Sequence, residues 1–165
     1  MPLFPSPAPY DDTTRAALVD AFAALTLDAM ALEGAVYLAH RACRGPLTAA
    51  LHPLLGAFAA KLGKYTDKLP EYVAQLGGQP VGTAEQVADG HRLGAFPPAL
   101  SDGAALLAAL LPMVRAFLLQ CHGVAATANE QGATEALDLV TRVIAGTQFY
   151  GWQIAAMLVP EDEAA

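Results

Sequence analysis

Four side chains of the types that bind divalent cations lie within one short stretch of the chain. His40 and His52 are twelve residues apart, and Asp67 and Glu71 are four apart. Positions four apart stack on one face of a helix, so the two carboxylates can chelate a cation together. His52 precedes Asp67 by fifteen residues, about 22 Å along one helix, which no single ion can bridge. If both ends serve one site, a second copy of the chain must complete it.

Small residues separate the two ends of this candidate site. In order along the chain they are Gly56, Ala59 or Ala60, and Gly63. They recur every three or four residues and therefore form a second stripe beside the apolar one. Two such helices crossing antiparallel near Ala60 would bring His52 of one copy beside Asp67 and Glu71 of the other.

The elements that position these residues are predicted to be helices, because apolar residues recur at alternating spacings of three and four. The first helix runs from an N-cap at Thr13 or Thr14 to about Ala42, and His40 is the next position on its stripe. The second starts between Leu47 and His52 and ends near Leu76. The stripes of these two helices are Leu18, Phe22, Leu25, Ala29, Leu32 and Val36, and Leu51, Leu55, Phe58, Leu62, Tyr65, Leu69, Tyr72 and Leu76.

Prolines and glycines set the remaining boundaries. Pro53 is tolerable in a first helical turn, whereas Pro70 should bend the second helix beside the carboxylates. Ser101 is the expected cap of the third helix, and the fourth runs from Gly132 to Pro160. The expected stripes are Gly103, Leu107, Leu110, Val114, Phe117, Cys121 and Val124, then Leu137, Val140, Ile144, Thr147, Tyr150, Ile154 and Leu158.

A long connection joins the second helix to the third and has room for one short helix at residues 83–88. Such a connection suits a crossover along a bundle. The expected fold is therefore all-α, a ferritin-like four-helix bundle. It comprises a Pro-rich arm (1–12) that is extended or disordered, one domain (13–160) and a short acidic tail (161–165).

The amino-acid composition favours a protein that forms oligomers and attracts cations. Apolar residues make up 55% and charged residues 15%, which indicates that other subunits cover part of the surface. The net charge of −7 favours cations over nucleic acid. Two cysteines fit reduced thiols in the cytoplasm. The N-terminus lacks the positive region of a secretory signal, and the charge-free run 143–160 is better explained as a buried helix than as a membrane span.

Several short segments recur together in one known family. They are Ala39-His40-Arg41-Ala42-Cys43-Arg44-Gly45, Leu51-His52, Asp67 with Glu71, Leu76-Gly77-Gly78 and Gly82-Thr83, with Trp152 in the last helix. This pattern resembles the Dps family, the DNA-protecting mini-ferritins of starved bacteria. The likeness extends weakly over nearly the whole chain.

The resemblance implies a hollow cytoplasmic shell of twelve subunits that oxidises Fe(II), preferentially with hydrogen peroxide, and stores the ferric product. It implies ferroxidase sites at two-fold interfaces, with His40 and His52 from one subunit and Asp67 and Glu71 from its neighbour. By the same resemblance Asp138 and Glu135 would line a three-fold iron-entry pore. Association with the nucleoid is a further implication.

Two positions depart from the family pattern. The family has a carboxylate one turn after the second histidine, where this chain has Gly56. Arg41 replaces a tryptophan after the first histidine and adds positive charge beside a cation site. The arm lacks Lys and Arg, so DNA binding through it is not expected.

Three functions remain open on the sequence alone. The leading one is an iron-storing ferroxidase. The second is a non-enzymatic shell that lost iron oxidation with the carboxylate at Gly56 and serves in DNA protection or binds another metal such as zinc. The third is an unrelated helical interaction module, in which Asp67 and Glu71 are solvated beside Lys64 and Lys68. His91 and His122 receive no role.

Overall fold

The computed structural model describes residues 3–159, which form five helices in an all-α arrangement. The helices are α1 (Asp12–Ala42), α2 (Thr48–Gln75), α3 (Ala84–Gly90), α4 (Gly103–Glu130) and α5 (Thr134–Ala156). Within the described residues the one β-type pairing is an isolated bridge between Arg44 and Asp102. The predicted ferritin-like bundle is confirmed, with α3 as the short helix of the crossover.

Both N-caps assigned to hydroxyl residues were wrong. The cap of α1 is Asp11, whose carboxylate accepts a hydrogen bond from the Thr14 backbone N–H at 2.8 Å. Asp102, rather than Ser101, caps α4 by accepting from Ala105 N–H at 3.0 Å. In each case a carboxylate beside the hydroxyl residue reaches the unpaired N–H groups and also complements the positive end of the helix dipole.

The core lies between two helical hairpins, α1 with α2 and α4 with α5, and α1 also packs against α4. The stripes predicted for α1 and α4 are buried throughout, and in α2 only Tyr72 is less than fully buried. The six stripe residues of α1, Leu18 to Val36, have no exposed surface. Residues that face away from this core, including those of the candidate site, can take part in contacts with another molecule.

The stripe predicted for α5 was partly wrong. The buried line consists of Ala136, Val140, Val143, Thr147, Gly151 and Ile154. Leu137, Ile144 and Tyr150 flank that line and are half-buried. A small residue on this line lets α4 pack closely, because a Cβ on Gly151 would lie 3.0 Å from Cγ1 of Val114.

Helix α2 continues through Pro53 and Pro70 and ends at Leu76, before Gly77. Gly77 has a φ of +85°, in the left-handed region that favours glycine. Its backbone also receives the N-terminal arm, since Phe4 N–H donates to Gly77 C=O at 2.8 Å. Arg15 donates to the backbone carbonyls of Phe4 and Leu76. The described part of the arm, residues 3–11, is therefore extended and held against the end of α2.

The crossover is fixed to α1 by a buried ion pair. Asp28 has no exposed side-chain surface and accepts three hydrogen bonds from Arg92, which follows α3. The Arg92 backbone N–H donates at 2.7 Å and its Nε at 3.0 Å. This pair holds the crossover against α1.

Helix α4 is long and apolar enough to cross a membrane by length and composition alone. In the described structure it is a core helix, with its predicted stripe packed inside the bundle. A core helix of a soluble bundle passes the same test, so this feature carries no membrane assignment. Helix α5 ends at Ala156, four residues before the predicted end at Pro160, and residues 160–165, including the predicted tail, lie outside the described residues.

Candidate metal centre

Helices α1 and α2 bring the two predicted histidines together. His40 in the last turn of α1 and His52 in the first turns of α2 place Nε2 and Nδ1 3.2 Å apart. Two nitrogens that bind one tetrahedral ion at about 2.1 Å each lie about 3.4 Å from one another. The pair is therefore spaced to share one cation, and the reversal at Gly45 between the two helices sets this spacing.

Electrostatics favour the neutral, metal-binding form of His40. Burial lowers the pKa of its imidazole, and the neighbouring His52 and Arg41 lower it further. A neutral imidazole nitrogen carries the lone pair that binds a metal ion, so this shift helps the site at neutral pH. His52 is exposed and stands at the open side of the pair.

Gly56 faces His40 directly. A Cβ built on Gly56 would lie 3.1 Å from His40 Nε2, so this position is adjacent to the imidazole pair. The carboxylate that the family resemblance places here is absent, and the His40 ring lies against the α2 backbone in its place. This position forms one end of a groove of about 260 Å³ between α1 and α2, lined by Glu33, Tyr37, His40, Gly56, Ala59, Ala60 and Gly63.

The stripe of small residues is the α2 side of this groove, as the spacing predicted. Ala60 is exposed and Ala59 is 8% exposed, whereas the neighbouring Phe58 and Leu62 belong to the core. Small side chains leave room for a second helix to approach closely. The small residues therefore allow another helix to pack closely against this face of α2.

Asp67 and Glu71 lie on the exposed face of α2, four residues apart. The Lys68 ammonium donates to the Glu71 carboxylate at 2.6 Å, in a pair with both side chains about half exposed. An exposed ion pair of this kind contributes little to stability. A cation that takes Glu71 as a ligand must displace Lys68.

Within residues 3–159 of one chain, no three metal-binding side chains come together. The imidazole pair and the carboxylate pair occupy opposite ends of one continuous helix, about 22 Å apart at 1.5 Å per residue. The structure thus brings together the two histidines and leaves the carboxylates remote from them. That the two ends meet between chains stays a prediction.

Arg41 is turned away from the imidazoles. Its guanidinium lies over the Tyr37 ring, 4.2 Å from the centroid, and donates to the Tyr37 hydroxyl. This contact runs back along α1 and keeps the charge at the rim of the groove. Tyr37 is 47% exposed and places an aromatic ring about one turn before His40, whereas the family resemblance places a tryptophan at position 41.

Glu33 is a groove residue that the sequence reasoning missed. Its Oε2 accepts a hydrogen bond from the Thr66 hydroxyl at 2.8 Å. Its Oε1 is 3.1 Å from where a Cβ on Gly63 would be, so the absence of a side chain at Gly63 makes room for it. The available signal was spacing, since Glu33 precedes His40 by two helical turns on the same face.

The two predicted pore residues lie in the first turns of α5 and are paired within the chain. Glu135 accepts a hydrogen bond from the Tyr10 hydroxyl at 2.5 Å. Asp138 is bonded to Arg142, with Nε to Oδ1 at 3.2 Å. Their role in iron entry stays a prediction.

The other two histidines lie away from the groove. His91 follows α3, and its Nδ1 accepts from the Leu93 backbone N–H at 3.4 Å. His122 is exposed on α4. Neither joins a group of metal-binding side chains within the described part of the chain.

Comparison with known proteins agrees with this architecture. The family model of the ferritin-like domain matches residues 28–160. DpsC from Streptomyces coelicolor is 26% identical over 96% of this chain and 92% of its own, with a TM-score of 0.91. A Dps homologue from the archaeon Halobacterium salinarum is 19% identical over 96% and 89%, with a TM-score of 0.91. No curated protein sequence matches significantly.

A third similar structure is the Dps protein from Vibrio cholerae O1, described as a member of a broad superfamily of ferritin-like diiron-carboxylate proteins. It is 18% identical over 96% of this chain and all of its own, with a TM-score of 0.87. Structural similarity at this level of sequence identity shows a shared fold and nothing further. The site itself must be judged from the residues present.

Proposed function

Since the chain belongs to the ferritin-like family and is of the Dps type, we propose that it binds and oxidises Fe(II) at sites shared between subunits and stores the ferric product. A general iron-storage role follows from the fold. In more detail, we propose that His40 and His52 from one subunit and Asp67 and Glu71 from the next bind the iron together.

The observation that carries the proposal is the incomplete site. Two imidazole nitrogens stand 3.2 Å apart at one end of a groove lined on its α2 side by small residues. The carboxylates that would complete them lie on the same helix, too far away to serve their own chain. An antiparallel pairing of two α2 helices about Ala60 places each imidazole pair beside the neighbour's carboxylates.

The donor set suits Fe(II) and its oxidation. Imidazole nitrogen and carboxylate oxygen are ligands of intermediate and hard character, which fits this metal in both oxidation states. Two Fe(II) ions supply the two electrons that reduce one hydrogen peroxide to two waters, consuming two protons. The carboxylates stabilise the more highly charged Fe(III) product, and the net charge of −7 attracts the cation.

Assembly is part of the proposal. Several large apolar side chains are exposed on the single chain, among them Trp152 at 67%, Leu119 at 70% and Phe149 at 56%. Such surface is ordinarily covered by other subunits. We take the assembly to be a cytoplasmic homododecameric shell that limits oxidative damage, with DNA contacts, where they occur, outside the arm.

The test is Fe(II) oxidation with hydrogen peroxide, followed by absorbance, for wild type and for the double variant His52→Ala with Asp67→Ala. We expect a loss of at least about a hundredfold, because ligands from both halves of each site are removed. The double variant of His91→Ala with Asp89→Ala, which changes the same residue types in and beside α3, should oxidise iron at the wild-type rate. Equal rates for all three proteins would refute the site, and a monomer by sedimentation would refute the assembly.

A second candidate rests on Gly56. Its missing carboxylate favours a non-enzymatic shell that protects DNA or binds a metal without oxidising it. In that case wild type would form a shell and bind Zn²⁺ at the histidines but oxidise Fe(II) no faster than the double variant. The same assay therefore separates the two functions.

A further inference from the structure

Glu33 and Gly56 occupy related positions in the groove, on opposite sides of its midpoint. At one end, His40 fills the space beside Gly56, with its Nε2 3.1 Å from a Cβ placed there. At the other end, Glu33 fills the space beside Gly63, with its Oε1 also 3.1 Å from a Cβ placed there. Each glycine thus makes room for one polar side chain of α1.

The antiparallel register of the proposed function relates the two ends. If His52 lies opposite Asp67 of the partner subunit, then counting along both helices places position 63 opposite position 56. Glu33, which lies beside Gly63 of its own chain, would then face the open part of the groove next to Gly56 of the partner subunit. That part of the groove borders His40 of the partner subunit and lies one turn from its His52.

We propose that Glu33 acts across the interface, as the carboxylate ligand that replaces the one missing at Gly56 of the partner subunit. Each site would then hold His40 and His52 from one subunit and Glu33, Asp67 and Glu71 from the other. This inference rests on the proposed function, because it needs the same antiparallel pairing. It goes further in assigning a ligand outside the four residues of that site.

The surroundings of Glu33 suit this role better than a purely structural one. Thr66 holds one carboxylate oxygen by a hydrogen bond at 2.8 Å, which orients the group as partners of metal-binding carboxylates do. The other oxygen points along the groove beside Gly63. Within its own chain Glu33 cannot join the imidazoles, since it lies two turns from His40, about 10 Å along α1.

The first measurement is Zn²⁺ affinity of the assembled protein by titration calorimetry, which needs no redox activity. Glu33→Gln keeps the shape of the side chain and an oxygen that can accept from Thr66, but it removes the charge. We expect the affinity to fall about tenfold or more. The matched control Glu85→Gln, on the exposed face of α3, should bind as wild type. Wild-type affinity in Glu33→Gln would overturn the proposal.

The second measurement tests whether Glu33 acts across the interface. Glu33→Gln and His52→Ala subunits are unfolded, mixed in equal amounts and refolded together. A mixed pair contains one site with both defects and one with neither, so about a quarter of all sites should regain wild-type affinity in a random mixture. If Glu33 instead served the histidines of its own chain, no intact site would form, and this result would overturn the proposal.

A parallel mixture of Asp67→Asn and His52→Ala subunits separates the inference from the function on which it rests. Suppose that about a quarter of the sites in this mixture bind Zn²⁺ with wild-type affinity and that none does in the Glu33→Gln mixture. The shared site is then supported and the role of Glu33 is refuted. If no site in either mixture binds Zn²⁺ with wild-type affinity, the shared site itself is refuted. Recovery in both mixtures supports both proposals.

Discussion

Two carboxylates on α1, only five residues apart, have opposite surroundings. Asp28 faces the inside of the fold, has no exposed surface and is bonded three times to Arg92 of its own chain. Glu33 faces the outer groove, is half-buried and has Thr66 as its hydrogen-bond partner through one oxygen. Both oxygens of Asp28 accept hydrogen bonds from Arg92, whereas Oε1 of Glu33 lies beside Gly63 in the groove.

This contrast separates structural polar groups from functional ones. Burying an unpaired charge is costly, so Asp28 must find its partner for the chain to fold. Glu33, His40 and His52 are not fully buried and lie in or beside the outer groove, so a ligand can reach them. The interior of the bundle and the outer groove should therefore respond to mutation in different ways, the first through stability and the second through ligand binding.

The sharpest test of the closed interior is the reactivity of Cys121, near Asp28. Burial raises the pKa of its thiol from 9.0 to about 12, and the charge of Asp28 contributes. In a Cys43→Ser variant at pH 8, the thiolate fraction of Cys121 should be about a thousandfold below that of an ordinary thiol. Reaction with a disulfide reagent should be correspondingly slow in the folded protein and fast in denaturant. Fast reaction in the folded state would show that the interior is open.

The next largest effect is expected from the buried ion pair. Arg92→Ala removes the guanidinium from the buried Asp28 carboxylate, leaves only the backbone N–H bond, and should lower the free energy of unfolding by about 3 kcal/mol. Arg142→Ala removes the exposed pair with Asp138 and should cost less than about 1 kcal/mol. Urea unfolding of the two variants measures the difference. Equal costs would mean that the crossover is not held by Asp28.

Substitutions beside the outer groove should change metal affinity rather than the stability of the fold. Lys68→Met removes the ammonium that occupies Glu71, so Zn²⁺ affinity should rise about two- to threefold while the unfolding midpoint hardly changes. Lys64→Met, also on the exposed face of α2, is the control. Weaker binding in Lys68→Met alone would indicate that Lys68 orients Glu71 instead of competing for it.

The smallest effect concerns the arm, where Tyr10 donates to Glu135. This bond lowers the pKa of Glu135 from 4.5 and raises that of Tyr10 to about 12. The bond makes its full contribution to the free energy of unfolding between pH 4.5 and 10. It disappears as pH falls through the lowered pKa of Glu135, or rises through that of Tyr10.

Tyr10→Phe should therefore be slightly less stable than wild type at pH 7 and equal to it at pH 2. Urea midpoints at the two values measure this. An unchanged difference at pH 2 would mean that packing of the ring, and not the bond to Glu135, holds the arm.

Much of this protein could be predicted from the pattern of residue types. The stripes of α1, α2 and α4 and the long crossover followed from spacing, because burial imposes helical periodicity directly on sequence. The α5 stripe was partly wrong, since its buried line includes Ala136 and Gly151, small residues that a search for large apolar ones passes over. The caps were misplaced by one to three residues because carboxylates and hydroxyls compete for the same N–H groups.

By itself the sequence determined that His52 and Asp67 cannot serve one ion within a chain, because helix rise fixes their separation. It could not determine what lies across from Gly56 or Gly63, because contacts between helices depend on how side chains from distant segments pack. Only the tertiary structure placed His40 beside one glycine and Glu33 beside the other. The folded groove thereby indicated which carboxylate can take the place of the missing one.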